Sequence, residues 1–417
     1  MSIKTLKDRG PAKYFHGRKE IIDTFKSTLK LYRKENEGTT ILIQGAPGAG
    51  KTALLDVLST RAKSKKWKVA KISIEDLYIP VSMAQSLGRS YTIDKEYALE
   101  AGVKYLKGGL VGRVAGDASS REILRHLAPE KGLILVLDEA QRLHKLPKDS
   151  EIRVIASSTL DMIHNGGLGK PVMLLTAGLG TTEAAYGSLG ISRIEGDCIV
   201  RLGRLDKKSE CAVIRDWLTK GGRAKGDPQA WIQSIAEHAH GWPQHIISYI
   251  KPALKYLKSH NRSMTDEGLK FVLEEGAKYR ETYYETRAHD IDEELREALA
   301  IAVMDVPPDK TTTKSAITSS LKKSGLTEKD AGKLFNQALE QGIIDKRKGG
   351  RYGIPIPSFH TWLMDEYAKG KSQDIHQPPK LLPPKPIQLL PLPMKDDTSD
   401  VKYKGKEKGQ DGLGFER

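Results

Sequence analysis

Cysteine, aromatic side chains and long apolar runs are all scarce in this sequence. The two cysteines, Cys198 and Cys211, cannot build a disulfide framework or a cysteine-based zinc site, and they fit a reducing compartment. Aromatic residues make up only 6% of the chain, which disfavours a binder of single strands that stacks bases on aromatic platforms. No apolar run approaches the roughly 18 residues of a membrane span. The opening MSIKTLKDRG lacks the apolar core of a signal peptide, so we expect a cytoplasmic protein without membrane contact.

Positive charge, by contrast, is in excess. The 417 residues include 68 Lys and Arg against 53 Asp and Glu, a net charge of +15. An excess of this size indicates a polyanionic partner, either nucleic acid or the phosphates of a nucleotide. At about 150 residues per domain the length predicts two to three domains, each able to bury a core without disulfides or metals.

Short apolar strands alternate with helices over the first half of the chain. The pattern predicts strands at 39–44, 68–74, 132–137, 171–176 and 198–202, and helices at 17–36, 51–64 and 150–164. It predicts a mostly helical insertion at 81–127. Because the strands are continuously apolar and separated by helices, the fold class that we expect is α/β, with a doubly wound parallel sheet.

A glycine-rich segment between the first strand and its helix carries the complete pattern GxxxxGK[ST]. Its glycines let backbone N–H groups turn toward phosphate oxygens, and the following helix adds the positive end of its dipole. In such a loop Lys51 can reach the β- and γ-phosphates, and the Thr52 hydroxyl can ligate Mg²⁺. We therefore expect ATP and Mg²⁺ as cofactors, held at Gly45, Ala46, Pro47, Gly48, Ala49, Gly50, Lys51 and Thr52.

A second motif, LILVLDEAQRL, is a buried strand that ends in Asp138 and Glu139. An acidic residue at the carboxyl end of such a strand lies beside the phosphate loop. Asp138 can hold Mg²⁺ through water, and Glu139 can orient or deprotonate the attacking water. The second acidic residue favours hydrolysis over binding alone.

Beyond Leu205 the strands stop. Helices predicted at 206–220, 228–239, 243–258 and 265–288 form an all-helical unit. Three more at 292–304, 311–324 and 327–341 precede an extended pair, 342–347 and 352–356, and this order indicates a winged helix. The predicted domains are therefore an N-terminal arm (1–14), a nucleotide-binding domain (15–205), a helical domain (206–290), a winged helix (291–370) and a Pro- and Lys-rich disordered tail (371–417).

Three further segments carry a family resemblance. The segment FHGRKE at 15–20 resembles the box that precedes the phosphate loop in AAA+ and STAND ATPases. LLTAG at 174–178 stands where AAA+ proteins place sensor 1, and ISRI at 191–194 followed by CIVRLGRLDKKSE resembles an origin-recognition segment. In layout, residues 12–370 resemble the origin-recognition, or replication-initiator, branch of the AAA+ P-loop ATPases, whose nucleotide domain is followed by a helical lid and a winged helix.

The resemblance implies additional site residues. Arg18 and Pro243 would lie near the nucleotide, and Thr176 would be the sensor 1 residue, although Asn is more usual there. Arg193 would reach the nucleotide of a neighbouring subunit, with Arg201 and Arg204 as rivals, so a homo-oligomer or a partner subunit is implied in the ATP state. The lid segment GWPQH at 241–245 lacks the sensor 2 arginine, and its Gly-x-Pro resembles STAND signalling ATPases.

A cluster of cations marks the predicted wing. Lys346, Arg347, Lys348 and Arg351 surround a Gly-Gly turn, which fits the minor groove or the phosphate backbone of double-stranded DNA. The predicted recognition helix at 327–341 offers Lys333, Asn336 and Gln337 but no Arg, so we expect largely sequence-independent binding. A winged helix that contacts protein is the alternative for this unit.

Two hypotheses follow for the whole chain. In the first, ATP binding and hydrolysis switch assembly on DNA, as in a regulator of replication, plasmid maintenance or transposition. In the second, the chain is a STAND-type signalling or defence switch that acts on a protein partner. A binding module with a defective ATPase is disfavoured, because Lys51, Thr52, Asp138 and Glu139 are all present.

Overall fold

The computed structural model is built around a five-stranded parallel sheet with strand order β2-β5-β6-β1-β7. It describes residues 13–88, 103–106, 109–112, 123–124, 127–148, 150–191, 194, 198–289, 291, 293–304, 306 and 310–367. All of them fall within one compact unit that extends to Gly370. None of the helices described combines the length and apolar character that crossing a membrane requires.

The bounds of the elements are as follows. The strands are β1 (Thr39–Gln44), β2 (Lys68–Ile72), β3 (Val103–Leu106), β4 (Gly109–Gly112), β5 (Leu133–Leu137), β6 (Val172–Gly178), β7 (Ile199–Arg201), β8 (Asp345–Lys346) and β9 (Tyr352–Gly353). The α-helices are α1 (Lys19–Glu35), α2 (Lys51–Ser64), α3 (Pro80–Ser86), α4 (Glu151–His164), α5 (Thr182–Gly187), α6 (Lys207–Asp216), α7 (Gln229–Ala239), α8 (Pro243–Ser259), α9 (Asp266–Ala288), α10 (Glu293–Met304), α11 (Lys314–Lys323), α12 (Glu328–Glu340) and α13 (Pro357–Tyr367). Short 3₁₀ turns lie at Glu75–Leu77, Ala140–Lys145 and Lys348–Gly350, and a π-helical turn lies at Trp217–Gly221.

The central strands are buried on both faces, because helices cover each side of the sheet. Every residue of β1, β5 and β6 is buried. On one face Ile134 and Val136 share an apolar cluster with Leu54 and Leu58 of α2. On the other, alternate residues of the same strands pack with Ala156, Leu160 and Ile163 of α4. This packing places the carboxyl ends of β1, β5 and β6 side by side, which is the edge where ligands bind in such sheets.

Two helical units follow the sheet. The lid helices (α6–α9, residues 207–288) enclose a core of their own, which includes Trp231, Ile235 and Tyr249. The C-terminal unit (residues 291–367) combines α10–α13 with the short antiparallel pair β8 and β9. Its core is continuous with that of the sheet's α2 face, through Trp242 and Tyr284 of the lid helices.

The α/β fold class and the parallel sheet are confirmed. The helices of the lid and the three helices before the hairpin lie close to their predicted bounds, while the domain limits and the winged helix itself stay predictions. The mostly helical insertion at 81–127 is wrong in part, because after α3 the backbone forms the antiparallel pair β3 and β4, where Val103, Tyr105 and Val111 favour strand. Helix α13 was not predicted. The tail 371–417 and most of the arm 1–14 lie outside the described residues.

Candidate active site

The phosphate loop connects β1 to α2 and has the backbone shape that its glycines predict. Gly48 and Gly50 have φ of +78° and +90°, in the region that favours glycine. The Lys51 side chain is buried, and its ammonium donates to the carbonyls of Gly45 at 2.8 Å and Ala46 at 3.2 Å. Burial lowers the pKa of Lys51, while the nearby carboxylates of Glu139 and Asp138 raise it. A buried ammonium at the head of the loop is suited to an anionic ligand.

Thr52 and Asp138 meet directly, although they belong to different elements. The Thr52 hydroxyl donates to Asp138 Oδ2 at 2.8 Å, across the gap between the first turn of α2 and the end of β5. The other carboxylate oxygen, Oδ1, accepts the backbone N–H of Glu139 at 2.9 Å. A hydroxyl and a carboxylate so close together form an oxygen-rich pair of the kind that Mg²⁺ prefers, so the residues present fit this ion.

Glu139 is held in an unusual backbone conformation beside this pair. Its φ of +56° is uncommon for a residue with a side chain, and the side chain is exposed. The carboxylate accepts the Gln141 side-chain amide at 2.5 Å. Gln141 Oε1 in turn accepts the backbone N–H of Leu179 at 3.2 Å, so Gln141 links Glu139 to the end of β6.

A cavity of about 500 Å³ opens next to these carboxylates. Thr52, Asp138 and Glu139 form part of its wall, and Lys71, Tyr78 and Arg142 form another part. Lys71 pairs with Asp56 across it at 3.0 Å. The cavity leaves room for solvent beside Glu139, as a reaction with water requires.

The lid helices rest on the phosphate loop. The Gln244 backbone N–H donates to the Gly48 carbonyl at 3.2 Å, and the Tyr283 hydroxyl donates to the Pro47 carbonyl at 2.7 Å. A Cβ at Gly50 would lie 3.7 Å from the Pro243 ring, and a Cβ at Gly48 would lie 3.0 Å from Trp242 Nε1. Pro243 thus lies against the phosphate loop, while its predicted contact with the nucleotide stays a prediction.

The C-terminal unit also reaches the loop. A Cβ at Gly342 would lie 2.5 Å from Pro47 Cδ, and a Cβ at Gly180 would lie 2.2 Å from Asp345 Oδ1. The segment 342–345 therefore spans the phosphate loop and the residues that follow β6. Asp345 is only 7% exposed there.

Where the structure describes the other predicted residues, their side chains contact groups outside the phosphate loop. The Arg18 guanidinium donates to the Gly203 carbonyl, on the connection from the sheet to the lid helices. Thr176 is fully buried and level with Leu42 of β1 and with Leu137, the last residue of β5, on the sheet face that packs with Tyr186. Its role as sensor 1 stays a prediction. Arg193 lies outside the described residues, and its rival Arg201 pairs with Glu183 at 3.3 Å.

The predicted wing is shorter than the sequence suggests, and two of its arginines already contact other residues of the chain. Its strands are two residues each, and the turn runs from Arg347 to Arg351, whose backbones are joined at 2.7 Å, rather than through Gly-Gly alone. Arg351 donates to the Thr311 hydroxyl at 2.8 Å and to the Thr311 carbonyl, and Arg347 lies 4.0 Å from Asp345. Lys346 is half-buried, and the side chain of Lys348 is outside the described part of the chain.

Sequence reasoning missed Gln141, Tyr283 and Asp345. Gln141 follows Glu139 by two residues, and a polar residue so near a carboxylate predicted to be catalytic is a signal that could have been used. Tyr283 and Asp345 reach the loop only through packing between distant parts of the chain, and no local pattern marks them.

Residues 14–158 match the family described as AAA ATPase domain, and no curated protein matches the chain. The Walker-type ATPase of Pyrococcus abyssi aligns over 85% of this chain and 98% of its own, with a TM-score of 0.55 and 14% identity. The ORC2 protein of Aeropyrum pernix, solved in ADPNP and ADP complexes, aligns over 88% and 97%, with a TM-score of 0.52 and 13% identity.

At such low identity these likenesses show a shared fold. The match to the family covers the phosphate loop and the Asp138–Glu139 pair, which the sheet brings to one edge. This chain therefore carries an AAA ATPase domain over residues 14–158 and is an ATP-binding ATPase.

Proposed function

We propose that this ATPase couples its nucleotide state to assembly on double-stranded DNA, in the cytoplasm, as a regulator of replication, plasmid maintenance or transposition. The observation that carries the proposal is the contact of the C-terminal unit with the phosphate loop, through Gly342 on Pro47. Because this unit bears the cationic turn and touches the nucleotide site, a change at the phosphates can move the surface that would meet DNA.

The chemistry is assigned to residues at the carboxyl edge of the sheet. The Thr52 hydroxyl and the Asp138 carboxylate would hold Mg²⁺, which when bound supplies positive charge against the phosphate oxygens. The Lys51 ammonium would exchange its two loop carbonyls for phosphate oxygens. Glu139 would accept the proton of the attacking water, and Gln141 would keep its carboxylate in position. Arg193 of a neighbouring subunit is the proposed trans-acting group.

The proposal that DNA is the partner depends on the positive charge of the C-terminal unit and of the whole chain. Lys329, Lys333 and Asn336 are exposed along α12, the predicted recognition helix, and the Gly349–Gly350 tip of the turn is exposed. With the net charge of +15, these features favour contacts to phosphates over base readout.

The test replaces Lys346, Arg347, Lys348 and Arg351 together by Ala and measures duplex binding over a range of salt. Each lost phosphate contact should reduce the slope of log K against log salt by about 0.9, with a similar loss of affinity for unrelated sequences. The matched control removes four exposed lysines of the lid helices, Lys255, Lys258, Lys270 and Lys278, and should leave the slope nearly unchanged. An unchanged slope in the first variant would refute the assignment of DNA to this turn.

One observation favours a STAND-type signalling or defence switch as the second candidate. The C-terminal unit and Pro243 both lie against the phosphate loop, so the unit is packed on the nucleotide site rather than separated from it. In this alternative the unit binds a protein once it is released. Wild-type protein that fails to bind duplex DNA in the presence of either ATP or ADP would favour it.

A further inference from the structure

The C-terminal unit brings a buried carboxylate to the mouth of the phosphate loop. Asp345 belongs to β8, far in sequence from the loop, yet its Oδ1 lies against Gly180, just beyond the end of β6. Gly180 accepts the Gln44 side-chain amide at 3.5 Å, and Gly45 donates to Gly178 at 3.2 Å, so this stretch is bonded to the start of the phosphate loop. Asp345 thus faces the same edge of the sheet as Lys51.

The surroundings of Asp345 are cationic. Arg347 lies 4.0 Å from its Oδ2, and Lys51 and Arg201 act on it electrostatically. The influence is mutual, since Asp345 is among the carboxylates that raise the pKa of Lys51. Burial nevertheless raises the pKa of Asp345 itself, so the charged form is costly in this place. Because Lys51 is also the lysine of the phosphate loop, Asp345 must compete with a bound polyphosphate for this cation.

The competition depends on the number of phosphates. In a loop of this pattern the lysine reaches the β- and γ-phosphates, so a third phosphate would add negative charge at Lys51, on which Asp345 also acts. Like charges placed together in a partly buried site oppose binding. We propose that Asp345 is a specificity-determining residue of the nucleotide site. While the segment 342–345 lies against the phosphate loop, Asp345 makes the chain bind a nucleoside diphosphate in preference to a triphosphate.

Binding of the triphosphate then requires the segment 342–345 to leave the loop. The anchor to be broken is the approach of Gly342 to Pro47. The inference concerns only the nucleotide site, so it stands whether or not the partner of the C-terminal unit is DNA.

The test measures the dissociation constants of ADP and of a non-hydrolysable ATP analogue, both with Mg²⁺, for the full chain and its variants. Asp345→Asn keeps the shape of the side chain and removes its charge, so the analogue should bind about tenfold more tightly relative to ADP. Asp345→Glu keeps the charge and should keep most of the discrimination. Glu340→Gln removes the same charge from an exposed position of the same unit and should leave the ratio at the wild-type value.

The affinity for ADP is the control for folding. Asp345→Asn that binds ADP as wild type does and gains affinity for the analogue supports the proposal. An unchanged ratio in Asp345→Asn overturns it. Loss of both nucleotides overturns it as well, because the carboxylate would then hold the site together rather than discriminate between ligands.

Discussion

Asp138 and Glu139 are neighbours in sequence, yet they are held by different partners. Asp138 is tied to the phosphate loop through Thr52, whereas Glu139 leaves the strand with a positive φ and is held by Gln141. The sequence predicted both carboxylates, because an acidic pair at the end of a buried strand is a local pattern. It could not predict the turn of Glu139 or its partner, which depend on how the chain leaves the sheet.

Gln141 is expected to act as a positioning residue. Gln141→Ala frees the Glu139 carboxylate and removes the acceptor of the Leu179 N–H, so turnover should fall roughly tenfold as the base loses its orientation. The dissociation constant of ATP should stay within about twofold, since Gln141 is not part of the phosphate loop. Turnover equal to that of wild type would show that Glu139 is positioned without it.

His245 should make the stability of the protein depend on pH. It belongs to α8 and is fully buried. Its ring contacts Tyr283 and Tyr284 of α9 and lies near the hydroxyl of Ser358 in the C-terminal unit. Burial lowers its pKa from 6.5 to about 3, with Arg280 and His240 acting in the same direction. Below pH 6.5 His245 becomes protonated in the unfolded chain but stays neutral in the folded chain. The free energy of unfolding therefore falls as the pH is lowered.

The measurement compares wild type with His245→Gln. Between pH 7 and pH 5, His245 should remove about 2 kcal/mol of unfolding free energy, and the variant should lack this part of the pH dependence. A difference between the two proteins that does not change with pH would contradict the assignment.

At the scale of elements, replacing a helical glycine by Ala should have opposite effects on stability in two different helices. Gly276 of α9 meets α8 so closely that a Cβ would lie 2.0 Å from Tyr249 Cδ1, while a Cβ at Gly332 of α12 would meet nothing within 4 Å. Gly276→Ala should therefore destabilise the fold by about 1–3 kcal/mol through overpacking. Gly332→Ala, its matched control, should stabilise it by about 0.5–1 kcal/mol through helix propensity.

The test measures the free energy of unfolding of both variants and of wild type under one set of conditions. Equal effects of the two substitutions would mean that α8 and α9 are not in the close contact described.

The same scale shows where sequence reasoning succeeds. The bounds of α2 and β1 were predicted to the residue, because a buried strand, a glycine loop and a helix start follow each other without interruption. Helix α13 was missed, although Phe359 and Leu363 have helical spacing, because the proline-rich sequence around it masks the pattern. Strands β8 and β9 are shorter than predicted, mainly at their outer ends, because 342–344 form turns and bends after α12 and 354–356 lead into α13 outside the pairing.

At the scale of the whole molecule, what the sequence could not predict is the packing of distant parts on one another. Tyr283 lies 236 residues from the loop carbonyl that it contacts, and its neighbours in sequence carry no sign of that role. Such contacts arise from complementary surfaces that no local periodicity encodes. The sequence could predict that a lid exists, but not that Trp242, Tyr283 and Gly342 lie against the loop.

Hydrolysis is predicted to be shared between subunits. If Arg193 reaches the nucleotide of a neighbour, Arg193→Ala should bind ATP normally and lose turnover, and mixing it with Lys51→Ala should restore some activity in hybrid interfaces. Arg201→Ala and Arg204→Ala test the rival positions in the same assay. Activity that is linear in protein concentration and unaffected by Arg193→Ala would show that no such residue operates.

The central claim is that this site hydrolyses ATP with Glu139 as the base. The most direct test incubates wild type and Glu139→Gln with ATP and Mg²⁺ and follows the conversion of bound ATP to ADP in a single turnover. Lys51→Ala is the control, and it should bind neither ATP nor ADP. Glu139→Gln should retain ATP and convert it about a hundredfold more slowly than wild type does. Conversion at the wild-type rate in Glu139→Gln would contradict it.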